Sequence, residues 1–97
     1  MFEIILTERA RKHWDRLKAD TGLEKQLRAV RKTFRFLSES ARHPSPRTHE
    51  FTSLKGPQGE KVFEAYAEQS TAAAYRVFWY YGPEVNQITV IAITPHP

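Results

Sequence analysis

Two different spacings of apolar residues divide the sequence, and this division constrains the fold more than any other feature. Between Ala10 and Leu37, apolar residues recur every three or four positions, which places them on one face of a helix. From Val62 onward, residues of different character alternate, which is typical of strands with two unlike faces. Helices followed by consecutive strands predict an α+β fold rather than a regular alternation of strand and helix.

The helical part is predicted to form an αα-hairpin. Thr7 offers a hydroxyl N-cap to the first helix, and Thr21 with Glu24 forms a T-x-x-E capping box at the start of the second. Each helix carries one apolar stripe, so each is expected to bury one face. The stripes consist of Ala10, Trp14 and Leu17 in the first helix and of Leu23, Leu27, Val30, Phe34 and Leu37 in the second.

The strands are predicted to form a small, mainly antiparallel sheet with the hairpin on one face. A short first strand covers Phe2 to Leu6, and three strands follow Val62, giving the order β-α-α-β-β-β. In the last strand, Ile91 and Ile93 are expected to share a side. Residues 42–59 contain three prolines and two glycines and are predicted to be a loop, with Leu54 docked on the core.

Length, charge and cysteine content narrow the possible functions. The 97 residues predict a single domain, 1–97, and the absence of cysteine excludes disulfides and thiolate sites. No apolar run reaches the ~18–20 residues of a membrane span, so we expect a soluble, cytoplasmic protein. Ten Lys or Arg against three acids between Arg9 and Arg35 suggest a polyanion or an acidic protein as partner. Solvated helix faces explain the same charge pattern.

The sheet face opposite the helices is the candidate functional site. If Tyr75, Val77 and Trp79 face the helices, Arg76 faces the opposite way, and an antiparallel neighbour brings Glu64 or Tyr66 beside it. An arginine within a strand is costly to bury unless it holds an anion. Arg76 therefore either binds a phosphate or pairs with a glutamate of the neighbouring strand, and the last strand brings His96 to the rim of the same face.

These residue types suit phosphodiester cleavage without a metal. RNA carries its own nucleophile, the 2′-hydroxyl, so an enzyme needs a base, a cation for the phosphorane and an acid for the leaving oxygen. Arg76 is the candidate cation, His96 the acid, and Glu64 or Glu50 the base. The other candidates are Tyr66 and Tyr80 to stack a base, and Arg47, His49 and Lys55 to contact phosphates.

The other histidines give no sign of a metal site. The four histidines show no metal-ligand spacing, so no metal is expected. His13, on the basic helix, and His43, in the predicted loop, are expected to be solvated.

In the order of these elements, the chain resembles the RelE/ParE superfamily of bacterial toxin–antitoxin toxins and is similar to its RelE-like branch. The resemblance spans nearly the whole chain and rests on order and spacing. It includes the first strand ending in Leu6-Thr7, the basic hairpin, Leu54-Lys55-Gly56, Tyr75-Arg76-Val77 and a final strand that runs to a histidine. Several relatives have an arginine and a tyrosine after the last strand, where this chain has Thr94-Pro95-His96-Pro97.

The resemblance implies a ribosome-dependent, metal-independent mRNA endonuclease that needs no cofactor. By this resemblance Arg76 and His96 are expected to be catalytic residues. Lys55 and the loop around Arg47 are expected to lie where the relatives contact phosphates. The resemblance also implies an acidic antitoxin as partner, in a possible heterotetramer. Two alternatives are open: a ParE-like inhibitor of DNA gyrase without catalysis, and a catalytically inactive binding protein of the same fold.

Overall fold

The computed structural model describes residues 1–40, 48–68 and 73–96, which form two helices and one five-stranded sheet. The elements are β1 (Glu3–Leu6), α1 (Glu8–Ala19), α2 (Glu24–Ser40), β2 (Thr48–Lys55), β3 (Lys61–Tyr66), β4 (Tyr75–Tyr81) and β5 (Gln87–Pro95). The strand order is β1-β5-β4-β3-β2; β1 is parallel to β5, and the other pairs are antiparallel. The predicted α+β class, with a helical hairpin on one face of the sheet, is confirmed.

The first helix, and the short turn that leads into the second, each begin at a side chain that accepts a hydrogen bond from a free backbone N–H group. The Thr7 hydroxyl accepts a hydrogen bond from the Ala10 N–H at 3.1 Å, as predicted for an N-cap. The predicted capping box at Thr21 is wrong, because Asp20 caps a short 3₁₀ turn (Thr21–Leu23) by accepting from the Gly22 N–H at 2.8 Å.

Among the described residues, neither helix is both long and apolar enough to cross a membrane.

The sheet has an apolar cluster on each face. The main core lies under the helices, where the stripe residues of α1 and α2 meet Val77, Trp79, Ile88 and other strand residues. A smaller cluster lies on the opposite face, which we call the open face. It consists of Val62, Phe78, Tyr80 and Ala92, with Phe51 and Ile91 packed against them. The predicted division of β4 between its two faces is therefore confirmed.

Residues 48–55 form an edge strand, so the predicted loop over 42–59 is wrong in this part. β2 pairs antiparallel with β3, with Thr48 opposite Ala65 and His49 opposite Glu64. Most of its side chains are exposed, and therefore its sequence lacks the apolar alternation of a buried strand. Leu54 does not dock on the core, because 42% of its surface is exposed.

A β-bulge in β5 reverses the predicted orientation of Ile91. Phe78 is opposite Ala92, but the next residue, Trp79, is opposite Val90, so Ile91 is an extra residue in β5. As a result Val90 and Ile93 both join the core under the helices, while Ile91 packs against the open-face cluster. The prediction that Ile91 and Ile93 share a side is wrong.

Candidate active site

Polar side chains from three neighbouring strands meet on the open face at one end of the sheet. Glu64 of β3 lies at their centre, with only 4% of its side chain exposed. Its Oε2 accepts a hydrogen bond from Arg76 Nη1 of β4 at 2.8 Å, and its Oε1 lies 2.6 Å from His49 Nε2 of β2. Both carboxylate oxygens are therefore engaged. We call Glu64, Arg76, His49, Tyr66 and His96 the Glu64 group.

Arg76 is held by two contacts, one with Glu64 and one with Phe78. It pairs with Glu64 rather than with Glu68, and the face of the Phe78 ring lies 4.8 Å from its guanidinium carbon. Its side chain is 16% exposed, and its buried Nε finds no acceptor among the described residues. A buried N–H group without an acceptor lowers the stability of the folded state. The contacts with Glu64 and Phe78 therefore hold the guanidinium in a position where one of its hydrogen bonds is not made. The pair lies on the open face, not beneath the helices.

The two imidazoles of the Glu64 group lie on either side of Tyr66. The ring centroid of Tyr66, which is opposite Arg76 in the strand pairing, is 6.2 Å from that of His49 and 5.9 Å from that of His96. The His96 N–H also donates to the Ala74 carbonyl at 2.7 Å, which fixes the backbone at the end of β5. The structure thus brings together Arg76, His96, Glu64, Tyr66 and His49; the sequence predicted the proximity of the first four, but not that of His49.

The remaining predicted site residues are not part of this group. Tyr80 is only 6% exposed and belongs to the open-face cluster, so it offers no surface for a nucleic-acid base, and that prediction is corrected. Lys55 lies at the end of β2 opposite Lys61, about 10 Å along the sheet from His49, and pairs with Glu50 at 3.9 Å. Glu50 is opposite Phe63, on the face turned towards the helices, which removes it as a candidate base. Arg47 lies outside the described residues.

His13 has a structural role that the sequence did not reveal. Its Nδ1 accepts a hydrogen bond from the Ile93 N–H at 3.0 Å, which joins α1 to β5 beside the bulge. Burial lowers the pKa of the His13 imidazole, and the positive charges of Arg9 and Arg16 lower it further. The prediction that His13 is merely solvated is therefore wrong, and the signal was its position one turn before the buried Leu17.

An open groove of 490 Å³ runs along the other edge of the sheet. It lies beside β1, which is an outer strand, and it combines apolar side chains with a single cation. The lining residues are Ile4, Ile5, Leu6, Arg11, Trp14 and Phe34. This surface is separate from the Glu64 group, because β5 and β4 lie between β1 and β3 in the sheet.

The fold is that of the RelE/ParE toxins. A YoeB/ParE toxin from Agrobacterium tumefaciens superposes with a TM-score of 0.70, covering 99% of this chain and all of its own length at 9% identity. The YoeB dimer from Staphylococcus aureus gives 0.69, with 99% and 98% coverage at 9% identity. The archaeal RelE–RelB complex from Pyrococcus horikoshii OT3 gives 0.62, with 97% and 93% coverage at 14% identity. No protein-family model and no curated protein matches the sequence.

Proposed function

We propose that this chain is the toxin of a type II toxin–antitoxin system and cleaves ribosome-bound mRNA without a metal ion. The observation that carries the proposal is the Glu64 group, which places one guanidinium and two imidazoles on one sheet face. The fold supports it, because the similar structures are toxins or toxin–antitoxin complexes. Among the described residues no three His, Asp or Glu side chains converge as metal ligands do.

The Glu64 group supplies each component that cleavage by the 2′-hydroxyl requires. Arg76 stabilises the negative charge that develops on the phosphorane, at a site where partial burial strengthens the interaction. His96 donates a proton to the departing 5′-oxygen, and the pair formed by His49 and Glu64 provides the base. Tyr66, between the two imidazoles, offers its ring to a nucleobase of the opened message.

The cellular test is to express the protein from a tightly controlled promoter and map the 5′ ends of messages. We expect new ends at positions occupied by ribosomes, and we expect Arg76→Ala together with His96→Ala to abolish them. Glu50→Gln is the matched control, because Glu50 is a charged β2 residue on the other face. Intact messages with inhibited DNA supercoiling would favour the gyrase alternative, and harmless expression would favour an inactive binding protein.

We also propose that an acidic antitoxin covers the groove beside β1. The basic residues of α1 and α2 attract an acidic chain, while the half-buried Trp14 and Phe34 rings, 5.2 Å apart, offer it an apolar surface. The proposal extends to this chain the antitoxin partnership of the YoeB–YefM complex from Staphylococcus aureus.

A charge reversal in the groove tests this partner. With a purified acidic antitoxin as binding partner, we expect Arg11→Glu to weaken binding at least tenfold, because Arg11 lines the groove. Arg9→Glu is the matched control, since Arg9 is an exposed arginine of the same helix outside the groove. Equal losses from both variants would show that only the overall charge matters, and raising the salt concentration would then weaken both complexes alike.

A further inference from the structure

We propose that His49 is the catalytic base of this site and that Glu64 is a positioning residue that holds His49 and Arg76 in place. The inference rests on the proposed RNA cleavage and assigns the proton transfer within it. The sequence had suggested the reverse, with Glu64 as the base and His49 as a phosphate contact.

Glu64 is in no position to take a proton from a ribose. Its side chain is 4% exposed, Oε1 lies against His49 Nε2, and Oε2 accepts from Arg76 Nη1. A hydroxyl of the substrate would have to displace one of these partners to reach either oxygen. A base must come within about 2.6–3.2 Å of the proton that it removes. The buried carboxylate of Glu64 is closed to such an approach, whereas the imidazole of His49, with 55% of its side chain exposed, is accessible to a substrate.

His49 projects to the surface and is oriented by the carboxylate behind it. Its side chain is 55% exposed, and Nε2 is the nitrogen that faces Glu64. A carboxylate only accepts hydrogen bonds, so Nε2 must carry the proton and Nδ1 is left with a free lone pair. The edge position of β2 leaves the outer side of His49 open to a substrate. A carboxylate that fixes the tautomer of a proton-transferring histidine is a recurrent catalytic arrangement.

The proton transfers balance without any further reactant. The 2′-hydroxyl gives its proton to His49 Nδ1 while the 2′-oxygen forms a bond to phosphorus. The bond between phosphorus and the 5′-oxygen then breaks, and His96 gives a proton to that oxygen. The products are a 2′,3′-cyclic phosphate and a 5′-hydroxyl. Arg76, held by Glu64, faces the phosphorane throughout.

Single-turnover cleavage of a synthetic message on programmed ribosomes tests the assignment. We expect His49→Gln to lower the rate about 10²–10⁴-fold, the usual contribution of a general base. Glu50→Gln, in the neighbouring position of β2, is expected to cleave at the wild-type rate. If the wild-type protein cleaves and Arg76→Ala does not, but His49→Gln keeps full activity, the assignment of the base is wrong and the proposed function survives. A wild-type protein that cleaves nothing overturns both.

A modified substrate separates the base from the acid. Replacing the 5′-bridging oxygen by sulfur gives a leaving group that needs no protonation. On this substrate His96→Ala should recover most of the wild-type rate, whereas His49→Gln should remain slow. Recovery of both variants, or of His49→Gln alone, would contradict the assigned roles.

The positioning role of Glu64 has its own spectroscopic signature. Long-range proton–nitrogen correlation spectra of the histidines at pH 8 should show His49 with its proton on Nε2. Glu64→Gln should lower the cleavage rate and give a mixture of the two tautomers, because an amide can both donate and accept. A His49 proton on Nδ1 in the wild-type protein, or an unchanged tautomer in the variant, would overturn the role of Glu64.

Discussion

Removing the charge of Glu64 tests whether the group is held together as described. Glu64→Gln keeps the shape of the side chain but leaves Arg76 without its counter-charge. At the observed 2.8 Å between Nη1 and Oε2, two unit charges attract by about 6 kcal/mol at an effective dielectric constant of about 20. Much of this attraction is offset by the cost of removing both charges from water.

The exposure of the pair decides the net magnitude. Exposed ion pairs contribute about 0–1 kcal/mol, whereas losing one partner of a buried pair costs about 3–5 kcal/mol. Glu64 is buried and Arg76 is 16% exposed, so we expect Glu64→Gln to lower the free energy of unfolding by about 2 kcal/mol. In a domain of this size that is a fall of roughly 10 °C in Tm.

A double-mutant cycle in urea isolates the interaction. Glu64→Gln, Arg76→Met and the double variant should give a coupling free energy of about 2 kcal/mol. The exposed pair of Glu8 and Lys12 on α1 is the control and should give less than about 0.5 kcal/mol. If the two cycles give the same coupling, the pair is solvated and the burial described here is incorrect.

Three further perturbations follow from individual contacts. The folded protein lowers the pKa of His13, so the stabilising contribution of this residue is complete above about pH 6.5. That contribution is lost as the pH falls through the lowered folded pKa, by at most about 1.4 kcal/mol per pH unit. Urea unfolding at pH 8 and pH 5.5 should therefore show a smaller loss for His13→Gln than for the wild-type protein. Thr7→Ala removes the acceptor for the Ala10 N–H and should cost about 1 kcal/mol in the same assay; no loss would refute the cap. Phe51→Ala removes the edge-on contact with Phe78, at 5.0 Å between centroids, and should loosen β2 and reduce cleavage as well as stability. Full cleavage by that variant would show that β2 is placed by other contacts.

The fold was predictable wherever apolar residues follow a regular spacing. The stripes of α1 and α2 and the alternation in β4 depend on burial against a core, so the sequence carries their pattern. β2 has no such pattern, because it is an edge strand with mostly exposed side chains. The bulge at Ile91 could not be predicted from the sequence either. One extra residue in β5 changes its pairing with β4, but the residues of β5 remain apolar on both sides of the bulge.

The missed strand explains why the site was predicted only in part. Arg76, Glu64 and Tyr66 lie on two strands that the alternation reveals, so their proximity could be expected from the pairing of neighbouring strands. The contact of His49 with Glu64 requires β2 to pair with β3. Because the sequence predicted a loop in this segment, it gave no strand pairing that would place His49 opposite Glu64. For that reason the sequence assigned the base to the carboxylate rather than to the imidazole.

The chemistry of the ends that the protein leaves on RNA tests the account most directly. Purified protein, programmed ribosomes and an end-labelled message suffice, with Arg76→Met as the comparison. The account predicts a 2′,3′-cyclic phosphate upstream of the cut and a 5′-hydroxyl downstream, with the yield nearly abolished in the variant. A 3′-hydroxyl with a 5′-phosphate, or equal yields from both proteins, would contradict cleavage by the Glu64 group.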